Sequence, residues 1–135
     1  MKSASPNCAL LADRHTVLTE GIRDLLETTF ETVYVVADTR TLREGASRLL
    51  PTLIVLDLSL AGCGSSQVVE EVRGLAPASR LLVLTVHDEA IVARTAIQAG
   101  AHGVVLKRCI GSEFMLAVDA LLQGKGFVSP DIGLN

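Results

Sequence analysis

The sequence predicts a doubly wound α/β domain, in which helices cover both faces of a five-stranded parallel sheet. Five short apolar runs recur along the 135 residues, and none alternates between apolar and polar side chains, which is typical of strands buried on both faces. Segments with a helical spacing of apolar residues separate these runs. Strands and helices that alternate over short connections form a parallel sheet, and right-handed crossovers place helices on both of its faces.

The predicted strands are the five apolar runs. In chain order they are CALLA (8–12), VYVVA (33–37), LIVL (53–56), LLVLT (81–85) and GVVLK (103–107). Apolar residues three or four positions apart predict the helices between them, as at Leu18, Ile22, Leu25 and Leu26, at Leu42, Ala46, Leu49 and Leu50, and at Val68, Val69 and Val72. Four positions stand where a helix N-cap is expected, namely Thr39, Ser65 or Ser66, Asp88 and Ser112.

Composition limits the partners of this domain. The formal net charge of −3 leaves no excess of cations to neutralise phosphates, so we expect no direct nucleic-acid binding by this segment. No apolar run approaches membrane-spanning length and the N-terminus lacks the apolar core of a signal peptide, which predicts a cytoplasmic protein with no membrane contact. The three cysteines have no CxxC spacing and are interpreted as reduced thiols.

Residues 1–7 are predicted to be a flexible N-terminus, and residues 8–124 the folded domain. Residues 125–135 are rich in Gly and Pro, which predicts the start of a linker to a domain that this chain does not contain.

Polar side chains end four of the five predicted strands: Asp13, Asp57, Thr85 and Lys107. Ligands of open α/β sheets bind at the carboxyl ends of the strands where the strand order reverses, and in the order 2-1-3-4-5 that point lies between strands one and three. Asp13 and Asp57 are therefore expected to face each other. Two carboxylates, a hydroxyl and an ammonium group in one crevice suit phosphoryl transfer to oxygen.

These residues resemble the receiver domain of two-component response regulators, specifically the NarL/FixJ subfamily with its flavodoxin-like fold. The resemblance covers nearly the whole chain, and FVSPDI (127–132) resembles the approach to that subfamily's helix-turn-helix output domain. The matching stretches are LLADRHTVLTEGIRDLL (10–26), LIVLDLSLAG (53–62), LLVLTVHDE (81–89) and AGAHGVVLKR (99–108).

The resemblance implies a role for each strand-end residue. Asp57 would be the phosphoacceptor, Thr85 the switch hydroxyl and Lys107 the cation that pairs with the phosphoryl group. Asp13, Asp57 and the backbone carbonyl of Ser59 would be ligands of Mg²⁺. The implied partners are a sensor histidine kinase and a LuxR-type DNA-binding output domain, and the chain would catalyse at most its own phosphorylation rather than act as a conventional enzyme.

Three positions depart from the pattern of that family. Arg14 stands where the family has its second acid, Val104 where it has an aromatic switch residue, and Ala61 where it usually has Pro. Mg²⁺ requires oxygen ligands, and a like charge about 4 Å away costs roughly 4 kcal/mol at an effective dielectric constant near 20, so we expect weak or absent Mg²⁺ binding. Arg14 could pair with Asp57, or extend into solvent and leave Asp13 and Asp57 to bind the metal weakly.

The sequence is also compatible with two other functions. One is a phosphorylation-independent interaction module, in which Arg14 and Asp57 lock one conformation. The other is an aspartyl-phosphate hydrolase, although such enzymes typically carry a second Asp two residues after the nucleophile, where this chain has Ser59.

Two further expectations concern the histidines and the last helix. His15, His87 and His102 lie on different segments without the spacing of zinc ligands, and His15 and His87 are expected at the rim of the crevice. In the last helix a buried face of Phe114, Ala117, Val118 and Leu121 leaves further apolar residues to form a homodimer or contact the output domain, namely Met115, Leu116 and Leu122.

Overall fold

Six parallel strands form a single sheet in the computed structural model, which describes residues 7–133 and, within them, all side chains except those of Thr16 and Cys63. The predicted flexible N-terminus, apart from Asn7, lies outside the described residues, as do positions 134 and 135. The strand order is β2-β1-β3-β4-β5-β6. The strands are β1 (Cys8–Ala12), β2 (Thr32–Val36), β3 (Leu53–Asp57), β4 (Arg80–Thr85), β5 (Gly103–Leu106) and β6 (Phe127–Val128).

Five α-helices connect the strands and cover both faces of the sheet. Helices α2, α3 and α4 contribute to one core cluster, and α1 and α5 to the other. Neighbouring strand residues divide between the clusters, as Leu10 and Leu11 do, because successive side chains of a strand point to opposite faces. The helices are α1 (Thr16–Glu27), α2 (Thr39–Leu49), α3 (Ser65–Leu75), α4 (Ala90–Ala99) and α5 (Ile110–Leu122), with 3-10 turns at Leu58–Gly64 and Lys107–Cys109.

The predicted doubly wound fold and strand order are confirmed, with one strand more than expected. Each predicted strand lies within one residue of the observed one at both ends. The sixth strand falls inside the segment 125–135 that was predicted to be a linker, and it pairs with β5. Two buried side chains hold this segment against the domain. The Ser129 hydroxyl accepts a hydrogen bond from the Leu106 N–H, and Ile132 packs in the core. Two strand residues are too few to give a periodic signal.

Helix starts were predicted less accurately than strands. The cap of α2 is Asp38, whose carboxylate accepts a hydrogen bond from the Thr41 N–H, and Thr39 is the first helical residue. Ser65 is likewise the first residue of α3, and Ser112 lies inside α5. A 3-10 turn directly precedes both α3 and α5, so each of these helices begins at or before the residue that was predicted to cap it. Asp88 lies in the loop before α4.

No helix within residues 7–133 combines the length and the apolar character needed to cross a membrane.

His102 makes folding sensitive to acid. Its Nδ1 accepts a hydrogen bond from the Leu81 N–H, and burial, together with the charges of Arg80 and Arg73, lowers the pKa of His102 to about 4. The unfolded chain binds a proton near the usual pKa of about 6.5, so this contribution to stability is lost as the pH falls from about 6.5 toward 4. We expect the free energy of unfolding to drop by about 1 kcal/mol between pH 7 and pH 5 through this residue, allowing for solvent screening of a partly exposed ring.

Urea unfolding at the two pH values measures this drop. His102→Gln should lose less stability on acidification than the native protein, and the exposed His87→Gln should behave like the native protein. An equal drop in all three proteins would assign the acid sensitivity to other groups.

Candidate functional site

The carboxyl ends of four strands bring together the polar residues that the sequence singled out. Asp57 ends β3 and Thr85 ends β4, while Asp13 directly follows β1 and Lys107 directly follows β5. Asp13, Asp57 and Thr85 are all buried. Strands β1 and β3 are neighbours, as the predicted order requires. A cavity of about 400 Å³ opens at this edge, lined by Asp57, Leu58, Ser59, Gly62, Ser65, Thr85, Val86, His87 and Val92.

Asp57 is held by hydrogen-bond donors on both carboxylate oxygens. Lys107 Nζ lies 2.6 Å from Oδ2, and the Ser59 hydroxyl donates to the same oxygen over 2.9 Å. The Ser59 N–H donates to Oδ1 over 3.1 Å, which ties the carboxylate to the start of the 3-10 turn. This arrangement fixes the orientation of the carboxylate at the floor of the crevice. The resemblance implied a role only for the backbone carbonyl of Ser59, and neither of its two hydrogen-bond donors was predicted.

The charge of Asp57 is maintained despite its burial. Burial is the largest influence on its pKa and would raise it, but the hydrogen bonds that the carboxylate accepts from Lys107 and Ser59 outweigh burial and hold the pKa below its usual value. The carboxylate is therefore ionised at neutral pH, as a nucleophile must be.

His15 stands directly against both carboxylates. Its Nδ1 lies 3.2 Å from Asp13 Oδ1 and 3.3 Å from Asp57 Oδ2, and its side chain is 53% exposed. The His15 N–H also donates to Asp13 Oδ1. We expected His15 at the rim of the crevice, and the structure also brings it into direct contact with the acidic cluster. The signal was present in the sequence as an imidazole two residues after a strand-end Asp.

The site has features that fit a divalent cation. The second oxygen of Asp13, Oδ2, is buried and has no hydrogen-bond partner. A buried carboxylate oxygen without a partner is costly, and a cation would satisfy it. One ligand atom each from Asp13, His15 and Asp57 lie within 4.8 Å of one another. The two carboxylates fit Mg²⁺, whereas the imidazole nitrogen does not, because Mg²⁺ prefers oxygen ligands.

Arg14 takes no part in this cluster. Its side chain is exposed, and the ion-pair partners of Asp57 within residues 7–133 are Lys107 and His15. Of the two alternatives for Arg14, the pair with Asp57 is therefore wrong, and the solvated guanidinium describes the structure. A guanidinium in water keeps its hydration, while Asp57 already pairs with the Lys107 ammonium group.

Thr85 and Val104 occupy different environments. The Thr85 hydroxyl accepts a hydrogen bond from the His87 N–H and lines the cavity. Val104 is fully buried in β5, where its register partners are Val83 in β4 and Val128 in β6. At this position, where the resemblance led us to look for an aromatic switch residue, the chain therefore has a core residue.

Comparison with known proteins gives consistent matches. The family model described as "Response regulator receiver domain" matches residues 9–119. The chain is 32% identical over 126 residues to the nitrate/nitrite response regulator protein homolog of Haemophilus influenzae, covering 91% of this chain and 60% of that protein. It is 30% identical over 129 residues to the probable transcriptional regulatory protein NarL of Mycobacterium tuberculosis, covering 91% of this chain and 58% of that protein. The chain thus spans about three fifths of the length of these relatives.

A solved structure agrees with the match in sequence. The crystal structure of a two-component response regulator of the LuxR family from Aurantimonas sp. superposes with a TM-score of 0.84 at 32% identity, over 95% of this chain and 93% of that one.

Proposed function

The chain belongs to the response regulator receiver domain family and is a receiver of the NarL/LuxR type, and from this premise we propose that Asp57 is its phosphoacceptor. The observation that supports this role most directly is a buried, ionised carboxylate with Lys107 Nζ at 2.6 Å. Phosphorylation of Asp57 by a small phosphodonor, followed by mass spectrometry, tests the proposal.

The proposed reaction uses the side chains at the crevice. An oxygen of Asp57 forms a bond to phosphorus while the bond from phosphorus to the donor breaks, and the donor, a histidine imidazole of a sensor kinase or acetate from acetyl phosphate, leaves with the electron pair. Lys107 would then pair with the phosphoryl oxygens. The Thr85 hydroxyl, which lines the same cavity, would turn toward the phosphoryl group and report its presence to the β4–α4 loop.

Receivers of this family commonly bind Mg²⁺ at an acidic site, and Asp13, Asp57 and the backbone carbonyl of Ser59 would hold it here. The ion would neutralise charge on the phosphoryl group. We propose that Mg²⁺ binds weakly to this chain, because Arg14 replaces the second acid of the family pattern and adds a like charge near the site.

Titration with Mg²⁺ tests the effect of residue 14. Arg14→Asp should bind Mg²⁺ about tenfold more tightly than the native protein, because reversing one exposed charge near a divalent ion is worth about 1 kcal/mol or slightly more. Arg14→Gln, which only removes the charge, should fall between the two. Equal affinities in all three proteins would contradict the proposal and show that the guanidinium does not influence the ion.

The length of the relatives supports a proposal about the partners of this domain. The rest of their length leaves room for an output domain, and we propose a LuxR-type DNA-binding domain as the recipient of the signal and a sensor histidine kinase as its source.

Helix α5 offers a surface for a homodimer. Phe114, Ala117, Val118 and Leu121 are fully buried, as expected. Leu116 is 61% exposed and Leu122 is 38% exposed, whereas Met115 is partly buried against the core and contributes less surface than the sequence suggested. We propose that Leu116 and Leu122 lie in a contact between two copies or with the output domain.

Substitution of these two leucines tests the dimer. Leu116→Glu combined with Leu122→Glu should weaken self-association by about tenfold or more in analytical ultracentrifugation, since each removes a large apolar contact. Leu50→Glu, at a 60% exposed leucine after α2, is the matched control and should not change self-association. If the native protein is a monomer at high concentration, the dimer is excluded and contact with the output domain remains.

A further inference from the structure

We propose that Asp13, His15 and Asp57 form a mixed nitrogen and oxygen site that selects a divalent transition metal ion, of the class of Zn²⁺ or Co²⁺, over Mg²⁺. This inference rests on the proposed function only in that the metal would share Asp57 with the phosphoryl group. The geometry is compact, because the ligand atoms of the three residues lie within 4.8 Å of one another. Both carboxylates are buried, and only the imidazole reaches solvent.

The unpartnered oxygen of Asp13 is an independent indication of a ligand. The Asp13 side chain is fully buried, and its Oδ1 contacts the His15 ring and backbone N–H, while Oδ2 has no partner. Buried polar atoms are nearly always satisfied, by protein groups, by ordered water or by an ion. A cation between Asp13 and Asp57 would satisfy Oδ2 and offset the repulsion between the two carboxylates.

The identity of the third donor decides which cation fits. An imidazole nitrogen suits Zn²⁺, Co²⁺ and neighbouring transition metals, whereas Mg²⁺ takes oxygen ligands almost exclusively. His15 Nδ1 is about equally close to the two carboxylates, at 3.2 and 3.3 Å, so that it stands where the third ligand of such a site would be. Two carboxylates and one imidazole also leave coordination positions for water, as in open metal sites.

Lys107 sets a limit on the affinity. Its Nζ lies 2.6 Å from Asp57 Oδ2 and 3.5 Å from His15 Nδ1, so an entering metal must share Asp57 with an ammonium group. The two carboxylates and the Lys107 ammonium group together carry one net negative charge, which still attracts a divalent ion. The structure thus favours reversible binding by a three-residue site over a permanently held ion.

Calorimetric titration of the full chain with Co²⁺ and with Mg²⁺, without any phosphodonor, tests the proposal. His15→Ala should weaken Co²⁺ binding on the order of tenfold or more while changing Mg²⁺ binding little, because it removes only the nitrogen ligand. His15→Asp should shift the preference toward Mg²⁺. His102→Gln is the matched control, since this imidazole accepts a hydrogen bond from the Leu81 N–H at the amino end of β4, away from the crevice, and both affinities should stay as in the native protein.

Pulsed electron paramagnetic resonance of bound Mn²⁺ gives a second readout. The native protein should show a coupling to an imidazole nitrogen that His15→Ala lacks and His102→Gln retains. The proposal is overturned if Co²⁺ does not bind, if it binds native protein and His15→Ala equally well, or if the nitrogen coupling is absent. A phosphoryl adduct on Asp57 with no nitrogen-ligated metal would refute this inference alone, and metal binding without an adduct would refute the phosphoacceptor role alone.

Discussion

Acetyl phosphate should add one phosphoryl group to the native chain and none to Asp57→Asn. Asp57 combines an ionised carboxylate, a buried position and an ammonium group at 2.6 Å, and an amide at the same place cannot act as the nucleophile. The loss should therefore be complete within the detection limit of intact-protein mass spectrometry. Asp88→Asn, which alters an exposed carboxylate in the loop after β4, is the matched control and should retain the adduct.

Each other outcome has a definite meaning. An adduct that persists in Asp57→Asn would show that a different residue accepts the phosphoryl group. A native chain that takes up no phosphoryl group would favour the phosphorylation-independent interaction module, with Lys107 and His15 rather than Arg14 holding Asp57 in place. Multiple turnover of a small phosphate ester would favour the hydrolase.

The strand-end residues were predictable because the fold places them together by topology alone. Once alternating strands and helices imply a parallel sheet in the order 2-1-3-4-5, the residues that end β1, β3, β4 and β5 must share one edge. Asp13, Asp57, Thr85 and Lys107 therefore followed from the sequence without knowledge of any side-chain conformation.

The features that the sequence did not predict depend on local backbone geometry. His15 lies two residues after Asp13, which is a signal in the sequence, but it reaches both carboxylates because of the path of the chain between β1 and α1, and the spacing alone does not specify that path. The two donors of Ser59 depend on the 3-10 turn that begins after Asp57. Arg14 was the obvious departure from the family pattern, yet its side chain is exposed to solvent. The next residue, His15, contacts Asp13 and Asp57 instead.

Removing the ammonium group beside Asp57 should destabilise the fold. Lys107→Met leaves a buried carboxylate without its shortest partner, and breaking a buried ion pair from one side costs about 3 to 5 kcal/mol. Because Ser59 and His15 still contact Asp57, we expect a loss just below this range, about 2 to 3 kcal/mol in the free energy of unfolding at neutral pH. Arg108→Met, which breaks exposed pairs with Asp88 and Asp131, is the control and should cost under about 1 kcal/mol.

A double-mutant cycle separates the interaction energy of Lys107 and Asp57 from the other effects of the two substitutions on stability. When Asp57→Asn is already present, no buried charge remains to be compensated, so Lys107→Met should then cost less than about 1 kcal/mol. The coupling of about 2 kcal/mol measured by urea unfolding would be the energetic signature of the pair. The lowered pKa of Asp57 means that this coupling is present above the usual carboxyl range and disappears as the pH falls through the folded-state pKa. Additive losses at neutral pH would show that the contact between Lys107 and Asp57 does not persist in solution, and would remove the main support for Lys107 as the partner of the phosphoryl group.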